Sequence, residues 1–472
     1  MVIVVRQLRH SAAAILLLGL SGCAANLVND PVNAPLMGAA VSPLLSNGLS
    51  TRTHDGLIVA LSFSGGGTRA AAFAQGVLEE LAQNTIERDA SRKPIVDHIE
   101  FVSGVSGGSI AAAYFGLYGK AGISTFRERF LLRNAEEDLR TSVVNPKNLV
   151  RIFAGGANDS TGFPVWLDRN LFNGATFGDL MKPGNPLVLI NASDIYSRGP
   201  FVFGPLTFNS FCSDIRSYPL SQAVAASAAV PLVFTPIVIE TFPAKCEQRM
   251  PDWVRKAIVN RNAPENLEAF ARSLQRYGSG QIPYIKLLDG GLTDNLGLHG
   301  FLITMLGAQQ PYEPLTEEDA VKVSEMVLFV VNAGRGPSGD WIQTVQGPSG
   351  GALLQAVTDT AIDSSVRGSF DTLQLAMAQW QRNLVRYRCS LSNAEVRRLR
   401  GSTDGWNCRN ISVRVSEVSF ADVDPADREK LDAIATRFRL PQNEVDQLIA
   451  AGHTALRRNA VFQGLKPVPI SQ

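Results

Sequence analysis

The sequence predicts an α/β protein. Two short apolar runs each break on a glycine-rich turn and resume as a helical pattern, and a third run ends on Asp289-Gly290-Gly291. Runs such as LIVALSF at residues 57–63 are nearly continuously apolar, as suits a strand buried on both faces. The chain has 472 residues with an ordinary apolar share of 45%, enough to bury a large core in one big domain or two.

In chain order, the first element is a targeting segment. Arg6, Arg9 and His10 precede a short apolar core at residues 12–20. That core is too short to span a hydrocarbon layer of ~30 Å as a helix, so it reads as a signal peptide. Leu20-Ser21-Gly22-Cys23 resembles a bacterial lipobox. The resemblance implies cleavage before Cys23, a diacylglyceryl group on its sulfur and an acyl chain on its new amine. Two or more chains make such an anchor stable. Residue 24 is Ala rather than Asp, which by analogy with proteobacterial sorting implies the outer membrane, with the periplasmic or surface face left open. The competing reading is an ordinary secreted protein with a chance cysteine. Residues 1–22 are thus expected to be a lipoprotein signal peptide. Residues 23–52, rich in Asn, Pro, Ser and Gly, are expected to be the lipid anchor and a flexible tether.

Residues 53–345 carry the chemistry. The run at 57–63 enters Ser64-Gly65-Gly66-Gly67-Thr68-Arg69 and then a helical pattern with Phe73, Ala74, Val77, Leu78 and Leu81 on one face. Consecutive glycines at a strand-to-helix turn leave backbone N–H groups unobstructed, and the helix N-terminus adds positive potential. Such a loop binds a phosphate or an oxyanion of acyl transfer. The phosphate reading requires Gly-Lys-Ser/Thr at the end of the loop, where this chain has Thr68-Arg69, so the oxyanion reading is preferred. Next comes Gly104-x-Ser106-x-Gly108, between an apolar run and a small-residue helical pattern. This is the form of a nucleophile elbow, with Gly104 and Gly108 leaving room for the crossing strand and helix. The third piece, IPYIKLLDGGLTDN at residues 282–295, places Asp289 at a strand's carboxyl end, where open α/β sheets keep their chemistry. Read alone, that aspartate is an ordinary turn residue.

Together, in this order, the three pieces resemble the patatin-like phospholipase family. Ala226-Ser227-Ala228-Ala229-Val230-Pro231 resembles the block that family carries between its serine and its aspartate. The resemblance covers residues 53–340. It implies a mostly parallel central sheet sandwiched by helices, related to cytosolic phospholipase A2 catalytic domains. It also implies a Ser–Asp dyad, with Ser106 as nucleophile and Asp289 as base. Gly65, Gly66, Gly67 and Arg69 would form the oxyanion loop, and Gly290 and Gly291 would complete the aspartate motif. Arg69 either orders the loop or meets a lipid phosphate. The motif ends Asn295-Leu296-Gly297, where many plant members have proline last, and that difference bears on subfamily and substrate range. The function expected is a membrane-anchored hydrolase of phospholipid or related esters. The headgroup, the acyl chain and the protein partners stay open.

Two other functions compete. One is a non-catalytic lipoprotein that keeps the fold to bind lipid or a partner. The other is an esterase with a Ser-His-Asp triad, for which His299 and His453 are the candidates among five histidines. A net charge of +1 gives no electrostatic footprint for nucleic acid. No Cys/His cluster suggests a metal, and no cofactor is expected. With Cys23 lipidated, Cys212, Cys246, Cys389 and Cys408 remain, an even number that suits disulfides in an exported protein. The pairs close in sequence, Cys212–Cys246 and Cys389–Cys408, are favoured among three connectivities. Residues 250–280 read as a charged helical insertion, either a solvated face or a lid. Residues 346–472 read as a mainly helical C-terminal extension packing on the catalytic domain. Within it, helices are expected at 352–380, 427–438 and 442–456, and a strand at 411–420.

Overall fold

The computed structural model describes residues 28–37, 55–88, 91–140, 148, 151–152, 155–246, 250–336 and 340–470. The expected signal peptide, Cys23, His10, His54 and much of the tether lie outside them. The strands are β1 (Leu57–Phe63), β2 (Asn84–Arg88), β3 (Ser91–Pro94), β4 (Ile99–Val105), β5 (Leu187–Asp194), β6 (Gly199–Phe203), β7 (Ile237–Glu240), β8 (Tyr284–Asp289), β9 (Glu325–Asn332), β10 (Ser412–Ser419) and β11 (Val468–Pro469). The helices that matter most are α1 (Gly67–Gln83), α2 (Gly107–Phe126), α3 (Leu220–Ser227), α4 (Gly350–Ser390) and α5 (Gln442–Arg458).

The central sheet runs β10-β9-β1-β4-β5-β8-β7, with β6 paired to β5, and β11-β2-β3 form a small separate sheet. From β10 to β5 every pair is parallel. Beyond β5 the pairs are antiparallel. The sheet is sandwiched by helices, which explains the unbroken apolar runs. Leu57, Val59, Leu61 and Phe63 of β1 face one core with α1 and α2, while Ile58 and Ala60 face a second core that includes Leu373, Met377 and Trp380 of α4. β9 divides its side chains the same way. Each large apolar side chain buried contributes about 1.5–3 kcal/mol, so a strand covered on both sides gains from being apolar at every position.

The C-terminal extension is continuous with this domain. β10 is an edge strand of the central sheet, beside β9. α5 lies across α1 at a glycine crossing: a Cβ on Gly76 would stand 2.0 Å from the Ile449 carbonyl oxygen, and one on Gly452 would stand 2.3 Å from that of Phe73. The helix expected at 427–438 is shorter, Pro425–Ala433. Residues 434–440 are a non-helical strap instead, because their backbone is engaged elsewhere, as described below.

The expected tether is also bound over its described part. Asn29 donates to the carbonyls of Thr235 and Pro236, Asn33 donates to the Glu240 carbonyl and Ser213, and the Leu36 N–H donates to Cys212. The Asn and Pro content that reads as flexible serves side-chain-to-backbone docking here. The 250–280 insertion forms two helices that bury Trp253, Val254, Phe270, Leu274 and Tyr277 in the core. Both favoured disulfides are formed, Cys212–Cys246 and Cys389–Cys408.

Candidate active site

Adjacent parallel strands bring two turns together. β1 and β4 pair with Phe63 opposite Gly104, so the Ser64–Gly67 loop and the Ser106 turn leave the sheet side by side. Ser106 has φ 51° and ψ −121°, a backbone conformation that strains a residue with a side chain by about 1–3 kcal/mol. Close packing enforces it. A Cβ on Gly108 would stand 2.4 Å from the Phe63 carbonyl oxygen, and one on Gly104 would stand 2.6 Å from that of Gly108. A Cβ on Gly107 would stand 1.9 Å from the Gly67 carbonyl oxygen, so the elbow lies flush against the glycine loop.

Asp289 stands at the carboxyl end of a strand, as the sequence predicts, but reaches the serine from the opposite direction. It ends β8, but β8 is antiparallel to β5, with Asp289 opposite Ala192. β5 overhangs its neighbour, pairing Asn191 with Val105. The antiparallel strand therefore delivers the aspartate one residue past the end of β4, level with Ser106. The Asp289 carboxylate accepts from the Gly291 N–H at 2.8 Å and lies close enough to the Ser106 side chain to interact with it. Burial raises its pKa to about 6, against the Gly291 N–H and the nearby Ser106 side chain, which lower it.

A third segment, overlooked as a functional element in the sequence, ties the two together. The Ser227 hydroxyl at the end of α3 accepts from the Ser106 N–H at 2.8 Å and donates to the Asn191 carbonyl at 2.6 Å. The Ser227 carbonyl accepts from the Gly290 N–H at 3.0 Å, and the Ala229 carbonyl accepts from the Asp289 N–H at 2.8 Å. The same short segment thus fixes both residues. Its sequence signal is the Ala-Ser-Ala-Ala-Val-Pro block itself, whose small residues allow this approach. Beneath lies a buried polar layer: Ser193 donates to the Asp289 carbonyl, Ser103 to that of Gly297, and Asn191 to Ser103 and the Gly104 carbonyl.

Within the glycine loop the three amides are not equivalent. The Gly65 N–H donates to the Asn295 carbonyl at 3.0 Å. The Gly66 and Gly67 N–H groups have no acceptor among the described residues. Both have positive φ, 140° and 60°, which favours glycine. A Cβ on Gly65 would lie 3.5 Å from the Ser106 Cβ, which places this loop beside the serine. Arg69 is buried with its guanidinium turned to backbone: Nε donates to the Ala333 carbonyl and Nη1 to that of Ile434.

The described histidines are engaged elsewhere. His98 pairs with Asp55, and His453 with Glu79 and Glu80. His299 packs its ring against Phe270 and donates its backbone N–H to Asp294, and burial lowers its pKa to about 4. Among the described residues no imidazole is hydrogen-bonded to Ser106 or Asp289. No group of three or more His, Cys, Asp or Glu able to hold a metal occurs among the described residues.

Comparison with known proteins follows this geometry. A search of curated proteins returns no match. Among solved structures, human GIVD cytosolic phospholipase A2 is similar at 13% identity and a TM-score of 0.39, over 87% of this chain and 60% of that one. The same human enzyme in complex with methyl gamma-linolenyl fluorophosphonate is similar at 12% identity and a TM-score of 0.35, over 90% of this chain and 61% of that one. The chain therefore spans less than two thirds of the length of those structures. The family model described as patatin-like phospholipase matches residues 61–302, which is more than half of the sequence and includes the glycine loop, the Ser106 elbow and Asp289. The chain belongs to the patatin-like phospholipase family, a family of lipid hydrolases.

Proposed function

We propose that this protein hydrolyses carboxylic esters of phospholipids or related lipids through a Ser106–Asp289 dyad. The observation that carries the reading is the strained, buried Ser106 held beside the buried Asp289, with the Ser227–Ala229 segment hydrogen-bonded to the backbone of both. In this mechanism Ser106 Oγ attacks the ester carbonyl carbon while Asp289 takes its proton. The negative charge that forms on the carbonyl oxygen is met by the Gly66 and Gly67 N–H groups, at the positive end of α1. The C–O bond to the leaving alcohol then breaks, and Asp289 returns the proton to that oxygen. Water attacks the acyl-enzyme, Asp289 again accepts a proton, and the fatty acid leaves as Ser106 is restored. The elevated pKa of Asp289 suits this alternation, since a carboxylate near its ordinary value of about 4 is a weak base.

Membrane attachment belongs to the same proposal. With Cys23 lipidated, four residues separate the anchor from Val28, where the described segment begins. The five steps from Cys23 to Val28 reach at most about 18 Å. Asn29 is bound to Thr235 and Pro236, close along the chain to the Ser227–Ala229 segment that fixes the dyad. An anchor at Cys23 would therefore hold the catalytic end near the lipid surface.

The test compares the purified wild type with Ser106→Ala and Asp289→Asn on phospholipid vesicles, reading released fatty acid. Each variant is expected to lose on the order of 1,000-fold or more in kcat. Equal product from all three proteins would remove the proposal.

A further inference from the structure

We propose that the strap at residues 434–437, far beyond the family-matched region, is part of the catalytic site, with Thr436 as a positioning residue for the oxyanion loop. The proposal rests on the serine hydrolase reading above.

Two contacts carry it. The Arg69 Nη1 donates both to the Ile434 carbonyl at 2.9 Å and to the Thr436 hydroxyl at 2.8 Å. The Thr68 N–H donates to the Arg437 carbonyl at 2.9 Å. The strap thus holds the first turn of α1 by a side chain and by the backbone together. It also decides which amides stay open. Arg437 occupies the Thr68 N–H and Asn295 occupies that of Gly65, so Gly66 and Gly67 are left between them. The fit is close, since a Cβ on Gly67 would stand 2.6 Å from the Arg437 carbonyl oxygen.

The charge of Arg69 is part of the arrangement. Its hydrogen-bonding partners are neutral oxygens of Ala333, Ile434 and Thr436. They satisfy the guanidinium without cancelling it. Its Nη2 lies 3.1 Å from where a Cβ on Gly66 would be, so a buried positive charge stands directly behind the loop. Burial first, and Arg335 nearby, lower its pKa to about 9, which still leaves it charged at neutral pH. Such a charge favours an oxyanion at the front of the loop. The strap is itself held from its other side. The Phe438 N–H donates to Glu136 at 2.7 Å, Arg437 pairs with Glu136 at 3.4 Å, and the Phe438 ring lies 4.6 Å from that of Phe163.

The experiment uses the full chain and a small soluble ester, p-nitrophenyl butyrate, so that binding to a lipid surface does not enter. Thr436→Val removes the hydroxyl and keeps the shape, while Thr436→Ser restores the hydroxyl. Arg69→Lys keeps the charge and loses the planar fork, and serves if Thr436→Val folds poorly. Thr436→Val is expected to lower kcat about tenfold, as small misplacements of catalytic donors do. KM should change less than about twofold, because the strap acts on the transition-state oxyanion rather than on ground-state binding. Thr436→Ser should return kcat to near the wild-type value. An unchanged kcat in Thr436→Val, or losses in both Thr436→Val and Arg69→Lys that only track the unfolded fraction by circular dichroism, overturns the proposal. Ser106→Ala is run in parallel. If it hydrolyses the ester as the wild type does, the dyad reading fails and this inference falls with it. If it is inactive while Thr436→Val is fully active, only the strap inference fails.

Discussion

The serine elbow and the glycine loop are neighbouring turns of the same kind, each leading from a buried parallel strand into a helix, yet they are held in place differently. The elbow is fixed by backbone packed at its base, Gly104 against Gly108 and Gly108 against Phe63, with the Ser227 hydroxyl added on the Ser106 N–H. The loop is fixed from a distance, by Val331, Asn295 and the 434–437 strap. One turn is wedged against the strands it leaves, while the other borrows its geometry from the far end of the chain. The elbow should therefore fail together with the fold, and the loop should lose function while the fold survives.

Alanine at one glycine of each turn separates these cases and has the largest expected effect. In Gly108→Ala the new Cβ meets two backbone oxygens of the central strand β1 and its end, at 2.4 and 2.5 Å. Neither can retreat without shifting the sheet, so a loss of about 3 kcal/mol or more is expected by chemical denaturation. In Gly67→Ala the clash is with the strap, whose Arg437 side chain is exposed and which lies at the surface rather than in the sheet. There the stability loss should be about 1–2 kcal/mol, from the positive φ and a displaced strap, with a much larger proportional fall in kcat. Similar stability losses in the two variants would erase the distinction between local and borrowed geometry.

Ser227→Ala probes the joint between the elbow and the aspartate. It leaves the buried Ser106 N–H without its Ser227 acceptor and takes one donor from the Asn191 carbonyl. The expected stability loss is about 1–3 kcal/mol. Because Ser227 also receives the Gly290 N–H through its own carbonyl, the aspartate should stay in place, and kcat should fall about 10- to 100-fold through the serine alone. Activity in excess of that range would show that packing of the elbow suffices without the hydrogen bond.

The pH profile sharpens the same comparison from the side of the base. Asp289 acts when ionised, so kcat/KM should fall tenfold per pH unit below about 6 and level off above it. Stability should move the other way. A carboxyl whose folded pKa lies above its unfolded value contributes stability at low pH, and that contribution is lost as pH rises from about 4 through about 6. Asp289→Asn should therefore be more stable than the wild type at pH 7, by about 1–3 kcal/mol, with the gain gone near pH 4. A variant equally or less stable at pH 7 would mean that the carboxylate is held comfortably, contrary to the burial of the site.

What could be read in the sequence follows the same division. β1, the glycine loop, β4 and the elbow are each written in one contiguous stretch, and their strand-turn-helix pattern is visible without partners. Asp289 was legible as a residue, but its route was not. Nothing in IPYIKLLDGG distinguishes a parallel from an antiparallel strand, because both faces of β8 depend on neighbours from elsewhere in the chain. The helix expected at 427–438 stops at Ala433, although the amphipathic pattern runs on into the strap. That pattern loses to the bonds that Ile434, Thr436 and Arg437 make to Arg69 and Thr68. Residues 28–37 look flexible in composition, yet Asn29 and Asn33 find carbonyl acceptors more than two hundred positions away. In each case a long-range contact overrode a local preference.

The smallest expected effect concerns the rear of the borrowed turn, where α5 clamps α1. His453 bridges Glu80 through Nδ1 at 2.9 Å and Glu79 through Nε2 at 2.8 Å, with Arg457 also 3.6 Å from Glu80. Both ring nitrogens can donate only if the imidazole is protonated. Burial opposes that charge, but hydrogen bonds with the two carboxylates outweigh it and raise the pKa to about 9. The sign follows directly: the contribution is fully present below the ordinary value near 6.5 and is lost as pH rises through about 9. His453→Gln should therefore destabilise the protein by about 1 kcal/mol at pH 6, discounted for partial exposure, and by much less at pH 10. Since this clamp lies near the end of α1 remote from the glycine loop, kcat at pH 7 should stay within about twofold of the wild type. A pH-independent loss of stability would assign the bridge to packing alone. A large fall in kcat would mean that α1 transmits strain along its whole length, and that the loop borrows its geometry from α5 as well as from the strap.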